Sequence, residues 1–169
     1  MFTQLITLIP RRLFNLAGFL FCAGVLGYAI HVQLNEGLDP CPLCIFQRGA
    51  FLAAGCVFLL AAIHNAGSLG SRVYAVLIAL ASLAGAAIAG WHVRLQHLPP
   101  DLVPECGPGL DYMLEVFPLS ETLKKVFTGS GECAEVSWQF LGLSMPTWAL
   151  LCFIGLAVGG FFRNWLARD

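Results

Sequence analysis

Charged side chains are scarce in this sequence, and their scarcity excludes a soluble domain. Asp, Glu, Lys and Arg make up 11% of the 169 residues, whereas 58% are hydrophobic. A soluble domain carries about 25% charged residues. Four apolar runs are instead long enough to cross a bilayer core, which takes about 20 residues; they cover approximately 14–34, 45–63, 73–93 and 145–162. Because β-strands satisfy their backbone in lipid only by closing a barrel, the sequence predicts an all-α integral membrane four-helix bundle in one domain, 1–169.

Charge gives little information about the orientation of this bundle. Five of the nine Lys and Arg residues fall on the side of the termini and four on the other side, so the positive-inside bias is weak. The cysteines are more informative. Four of them fall in two loops of one face, at about 35–44 and 94–144, and disulfides persist outside the cytosol. We therefore expect these loops in the periplasm and both termini in the cytoplasm.

The seven cysteines divide by position into two groups. Three lie in apolar helix interiors, where Cys usually behaves as a small hydrophobic residue: Cys22, Cys56 and Cys152. The loop cysteines form two pairs: Cys41 with Cys44, and Cys106 with Cys133. The closely spaced pair can form an exchangeable disulfide, and a helix that begins beside the second sulfur favours its thiolate.

Two other roles for the loop cysteines compete with thiol exchange. Zinc sites are usually built from two closely spaced pairs, whereas Cys106 and Cys133 are 27 positions apart, so we predict no metal site. Static structural disulfides remain open on spacing alone. A redox pair held at a membrane surface points instead to electron transfer between protein thiols and an acceptor dissolved in lipid.

Arg48 is the only Lys or Arg well inside an apolar span. It follows Cys44 by four residues, so in a helix the two side chains share a face one turn apart. A permanent cation at such a depth is costly unless it has a task or a partner. Arg48 either stabilises a Cys44 thiolate and polarises an electron-poor ring, or extends to the headgroups. His92, near the end of the third span, either donates to a carbonyl of that ring or is merely interfacial.

The long second loop contains two features of interest. Cys106 stands between Pro104 and the sequence Gly107-Pro108-Gly109, which predicts an exposed, mobile segment. Further on, apolar residues recur at helical spacing: Leu119, Leu123, Val126 and Phe127. We expect a short helix there, which either lies in the membrane interface or covers the top of the bundle.

Three segments together carry a resemblance to a known family: 41–48 (CPLCIFQR), 130–135 (SGECAE) and 138–146 (WQFLGLSMP). They closely resemble the disulfide bond formation protein B (DsbB) family, and the resemblance spans nearly the whole chain. It implies a multi-pass protein of the bacterial inner membrane. Such a protein accepts two electrons from a DsbA-like periplasmic dithiol protein of the thioredoxin fold and passes them to membrane quinone, either ubiquinone or menaquinone.

The resemblance also implies a role for each loop cysteine. Cys106 would be attacked by the thiolate of the reduced partner, and Cys133 would resolve or relay by exchange with Cys41. Cys44 would then attack the quinone or form a charge-transfer contact with it beside Arg48.

His92 matches a family histidine near the quinone, although Trp91 before it departs from the acidic residue expected there. Two alternatives stay within this chemistry: a DsbB paralogue that serves a specialised partner, and a bundle like vitamin K epoxide reductase, against which the segment 138–146 argues. The alternative outside enzymes is a structural subunit of a membrane complex, with static disulfides.

Overall fold

A computed structural model describes residues 10–37, 40–103, 110–129, 131–136 and 138–166 of the chain. In chain order its elements are helices α1 (Arg11–Glu36), α2 (Pro42–His64) and α3 (Ser68–Gln96), a 3-10 turn (Pro100–Leu102), helices α4 (Leu110–Val116), α5 (Leu119–Thr128) and α6 (Gly131–Ala134), strands β1 (Gln139–Phe140) and β2 (Leu143–Ser144), and helix α7 (Met145–Trp165).

The helices α1, α2, α3 and α7 are each long and apolar enough to cross a membrane, and the predicted helical bundle is confirmed. Each predicted span lies inside one of these helices, but every helix extends beyond it. An apolar run marks only the part that lipid can surround, whereas backbone signals end the helix. At the end of α1, for example, Gly37 adopts the left-handed conformation at φ 64°, which glycine tolerates best.

The middle of the bundle is an apolar cluster, which we call the core cluster. The rings of Phe51 on α2 and Phe153 on α7 stack with centroids 4.0 Å apart. A Cβ atom on Gly85 of α3 would lie 2.4 Å from the Phe153 ring, so glycine at this position lets α3 and α7 approach closely. The buried members are Cys22, Phe51, Ala54, Phe58, Ile78, Ala89, Phe153 and Leu156.

The bundle end that carries the chain termini is held by polar contacts. Asn15 of α1 and Asn164 of α7 are both buried, and each side-chain amide donates to the other's oxygen, at 2.9 and 3.0 Å. Arg11 donates to Asn65 at 3.3 Å and to the carbonyl oxygen of Ala66. These contacts tie α1 to α7 and to the connection between α2 and α3.

The short elements between α3 and α7 pack on the opposite end of the bundle. The predicted helix in the long loop is confirmed as α5, and its Val126 is buried there. Phe127 remains 45% exposed, with its ring centroid 5.8 Å from that of Phe46 on α2. The apolar residues buried at this end, which we call the outer cluster, are Cys41, Leu43, Leu95, Met113, Val126 and Cys133. Cys106 and its flanking Pro and Gly residues lie outside the described residues.

Candidate redox site

The Cys41-Pro42-Leu43-Cys44 segment forms the first turn of α2. Cys41 is the extended residue that precedes the helix, and Pro42 follows at the first helical position, where a missing N–H costs nothing. The Cys44 backbone N–H donates to Cys41 Sγ over 3.4 Å, and the two Sγ atoms are 2.9 Å apart. Because a disulfide bond measures about 2.05 Å, the pair can close or open with little backbone movement.

Cys133 is the third sulfur at this end of the bundle. The short helix α6 packs against α3 and buries Cys133 beside the first turn of α2. The Sγ atoms of Cys41 and Cys133 and a ring nitrogen of His92, which are atoms that could bind a metal ion, all lie within 4.8 Å of one another. Hydrogen bonds with the Cys133 and Cys44 side chains, together with burial, raise the pKa of the Cys41 thiol.

His92 lies between the sulfur pair and Gln47. Both side chains are buried, with 2% of His92 and 6% of Gln47 exposed. The ring atom Nε2 is 3.8 Å from Cys41 Sγ, and Nδ1 is 2.9 Å from Nε2 of Gln47. Sequence reasoning missed Gln47. The available signal was a polar residue inside an apolar span, three positions after Cys44 and so on nearly the same helix face.

Arg48 reaches from α2 to α1. Its guanidinium donates to Gln33 Oε1 over 2.6 Å and to the Ala29 carbonyl over 3.1 Å. Both acceptors are neutral, so these contacts orient the cation without cancelling its charge. Gln33 is a second residue that sequence reasoning missed, although it is a polar side chain near the end of an otherwise apolar run.

A cavity of about 1340 Å³ opens beside these side chains and is bordered by α1, α2, α3 and α7. Cys41, Cys44, Arg48 and His92 line it. Four aromatic rings also line it: Tyr28, Trp138, Phe140 and Trp148. The Tyr28 and Trp138 rings meet edge to face at 6.1 Å, and the Trp138 and Phe140 rings stack at 6.2 Å. Such a space, with apolar walls and a few converging polar groups, is typical of a site for a small molecule. A fixed cation and aromatic walls fit a planar ring that carries carbonyl oxygens.

A smaller apolar groove of about 400 Å³ continues from this cavity between α1 and α7. The two spaces share Phe21 and Cys152. The groove follows small residues of both helices, among them Ala17, Gly18 and Gly155. Together, the two spaces follow one face of α1 from Gln33 to Phe14, a distance of about 28 Å at 1.5 Å per residue.

Comparison with known proteins shows the family to which this chain belongs. The family described as "Disulfide bond formation protein DsbB" matches residues 11–162. Proteins named "Disulfide bond formation protein B" are similar along most of their length. The one from Methylococcus capsulatus is 54% identical over 96% of this chain and 99% of its own, and that from Hahella chejuensis is 53% identical over 89% and 90%. The one from Nitrosococcus oceani is 57% identical over 83% of each chain. With this match across four membrane-length helices and a part-buried thiol pair, the chain belongs to the DsbB family and is a membrane-embedded disulfide oxidoreductase.

Proposed function

We propose that this protein reoxidises a DsbA-like periplasmic dithiol protein and passes two electrons to a membrane quinone, either ubiquinone or menaquinone. The observation that carries the proposal is the cavity, since both cysteines of the Cys41/Cys44 pair and the cation of Arg48 line it. A thiol pair and a fixed cation in one apolar space are what electron transfer from thiols to a lipid-soluble ring requires.

The order of the thiol steps is the one that the family resemblance implies. The partner's thiolate attacks the Cys106–Cys133 disulfide at Cys106, which forms a mixed disulfide and releases Cys133 as a thiolate. Cys133 then attacks the adjacent Cys41 sulfur. The Cys133–Cys41 bond forms as the Cys41–Cys44 bond breaks, and the electron pair leaves on Cys44. The partner's second thiolate then attacks the partner sulfur of the mixed disulfide, and the oxidised partner leaves as Cys106 is released as a thiolate. Cys106 attacks Cys133, which re-forms the Cys106–Cys133 bond and frees Cys41. Each exchange breaks one disulfide bond and forms one, so both electrons end on the Cys41/Cys44 pair that borders the cavity.

When bound, a quinone supplies a two-electron acceptor that partitions into the membrane. A DsbA-like disulfide has a potential of about −120 mV, and glutathione-like couples at about −200 mV would run the exchange backwards. The acceptor must therefore be more oxidising, and a quinone meets that need. Arg48 would bind an oxygen of the ring and stabilise negative charge on it. His92, which also lines the cavity, would lie near the ring, as the family resemblance implies. The aromatic side chains would exclude water from the thiolate.

The orientation of the protein forms part of the same proposal. We place the loops at about 35–44 and 94–144 in the periplasm of a bacterium, and both termini in the cytoplasm, with the bundle in the inner membrane. Cys41, Cys44 and Cys133 gather at one end of the bundle, and disulfide exchange is sustained in an oxidising compartment.

Substitution of Arg48 by Met tests the quinone site. The purified protein in lipid discs is mixed with a reduced DsbA-like partner, and quinone reduction is followed by absorbance. We expect the quinone KM of Arg48→Met to rise, or kcat to fall, by about tenfold or more, because a fixed charge at the acceptor is lost. The rate at which the partner forms a mixed disulfide should stay within about twofold, since Arg48 takes no part in that exchange.

The matched control is Arg94→Met, which removes a cation that stacks on the Trp91 ring at 5.3 Å. It should leave quinone kinetics unchanged. Unchanged quinone kinetics in Arg48→Met would show that Arg48 only extends toward the headgroups. A wild-type protein that forms no mixed disulfide with any reduced partner would support the alternative of static disulfides.

A further inference from the structure

The contact between Gln47 and His92 admits two arrangements of protons. In one, the Gln47 amide N–H donates to an unprotonated Nδ1, and a neutral ring then carries its proton on Nε2. In the other, Nδ1–H donates to the amide oxygen, and a neutral ring presents a bare Nε2. The structure has the amide nitrogen facing Nδ1 over 2.9 Å, which corresponds to the first arrangement.

The sulfur on the opposite side of the ring favours the same arrangement on independent grounds. In the oxidised pair Cys41 has no S–H group, so its sulfur can only accept. A bare Nε2 at 3.8 Å from that sulfur would place two acceptors against each other in a buried site. With a proton on Nε2, the same contact becomes an N–H···S hydrogen bond. Cys44 Sγ is 2.9 Å from the Cys41 Sγ that this N–H faces.

We propose that Gln47 is a positioning residue, which fixes His92 as the neutral Nε2–H tautomer and so aims a hydrogen-bond donor at the Cys41/Cys44 pair. The inference deepens the proposed function and rests on Cys41 and Cys44 being its redox pair. The neutral amide of Gln47 suits this task because its N–H group requires a lone pair on Nδ1.

The donor acts on the step that opens the pair. When Cys133 attacks Cys41, the Cys41–Cys44 bond breaks and the electron pair leaves on Cys44. An Nε2–H group beside Cys41 Sγ, which is itself 2.9 Å from Cys44 Sγ, stabilises the negative charge that forms on the pair. A ring with a bare Nε2 would instead oppose the developing negative charge. The tautomer set by Gln47 therefore controls how readily Cys44 leaves.

Nitrogen-15 NMR of the oxidised wild-type protein at neutral pH tests the tautomer directly. His92 is assigned by comparison with His92→Gln. We expect Nδ1 of His92 to be unprotonated and Nε2 to be protonated. Gln47→Glu, which conserves side-chain volume, should place the proton on Nδ1, because a carboxylate accepts from it. Gln96→Leu is the control, since it removes an amide that bonds Ser144 instead, and it should leave the His92 spectrum unchanged.

Exchange kinetics test the consequence. Gln47→Leu should slow the opening of the Cys41–Cys44 bond by Cys133 by about tenfold, the effect expected for one hydrogen bond to a charged group. In a His92→Gln background, where the amide at position 92 can donate without any tautomer, Gln47→Leu should have no further effect.

Three results would overturn the inference: a protonated Nδ1 in the wild type, an unchanged His92 spectrum in Gln47→Glu, or a full tenfold effect of Gln47→Leu in the His92→Gln background. The last would mean that Gln47 acts by packing. Should Gln47→Leu fail to fold, the Gln47→Glu spectrum still decides. Failure of the proposed function would be distinguishable from failure of this inference. Wild-type protein would then transfer no electrons to quinone, whichever tautomer His92 adopts.

Discussion

Cysteines occupy both the core cluster and the outer cluster of this protein, and the same side chain serves different purposes in the two places. Cys22 is buried in the core cluster, against Gly55 and other apolar groups. Cys41 is buried in the outer cluster, but other sulfurs and an imidazole lie within 4.8 Å of it. Both are nearly inaccessible to solvent, at 1% and 8% exposure. Burial therefore does not separate a structural cysteine from a reactive one; the polar neighbours do.

The largest expected effect comes from removing sulfur from each region in turn. Cys44→Ser or Cys133→Ser should lower turnover by at least about a thousandfold, because the thiolate that attacks or leaves is lost. Cys22→Ala and Cys152→Ala should remain within about twofold of wild type. Oxidation of a reduced partner in lipid discs measures both. Near-normal turnover in Cys133→Ser would contradict this comparison, because the outer cluster would then contain a cysteine with no redox role.

A substitution in the core cluster should have the reverse pattern, with an effect on stability and not on chemistry. Phe153→Ala removes a ring that stacks on Phe51 and fills the space over Gly85. It should lower the free energy of unfolding by about 3–5 kcal/mol. Denaturant titration in detergent measures the loss, and turnover per folded molecule should stay within about twofold. A stable but inactive variant would show that the two regions are coupled.

The smallest expected effect concerns the groove that continues from the cavity along the core cluster. Gly155 lines the groove and has open space beside it, so Gly155→Leu should fill the groove without disturbing the helices. If the apolar tail of a long-chain quinone lies there, the KM of that quinone should rise about fourfold. This is the effect of losing the burial of one CH₂ group, which is worth about 0.8 kcal/mol. The KM of a quinone with one isoprene unit should not change.

Gly27→Leu is the control for the groove, since Gly27 is exposed on α1 and borders neither space. Equal effects of Gly155→Leu on short-tailed and long-tailed quinones would place the tail elsewhere. An effect of Gly27→Leu as large as that of Gly155→Leu would mean that added side-chain volume on α1 or α7 changes the KM by disturbing the surrounding lipid.

The four-helix fold could be predicted because the cost of burying polar backbone in lipid leaves helices as the simplest solution for long apolar runs. The short elements α4, α6 and β1–β2 could not be predicted. They are two to seven residues long, too short to show a clear periodicity, and such segments are stable only where tertiary packing supports them.

By itself the sequence determined the membrane class, the number of membrane-length helices and the separation of helix cysteines from loop cysteines. These follow from hydropathy and residue order, which are local properties. Only the tertiary structure decided that Cys133 lies beside Cys41, that Gln47 contacts His92 and that Gln33 holds Arg48. Each of these contacts joins residues at least 15 positions apart, and the direction of a side chain across a bundle depends on how whole helices rotate and pack against one another. The chemistry of the residues was visible in the chain, but their neighbours were not.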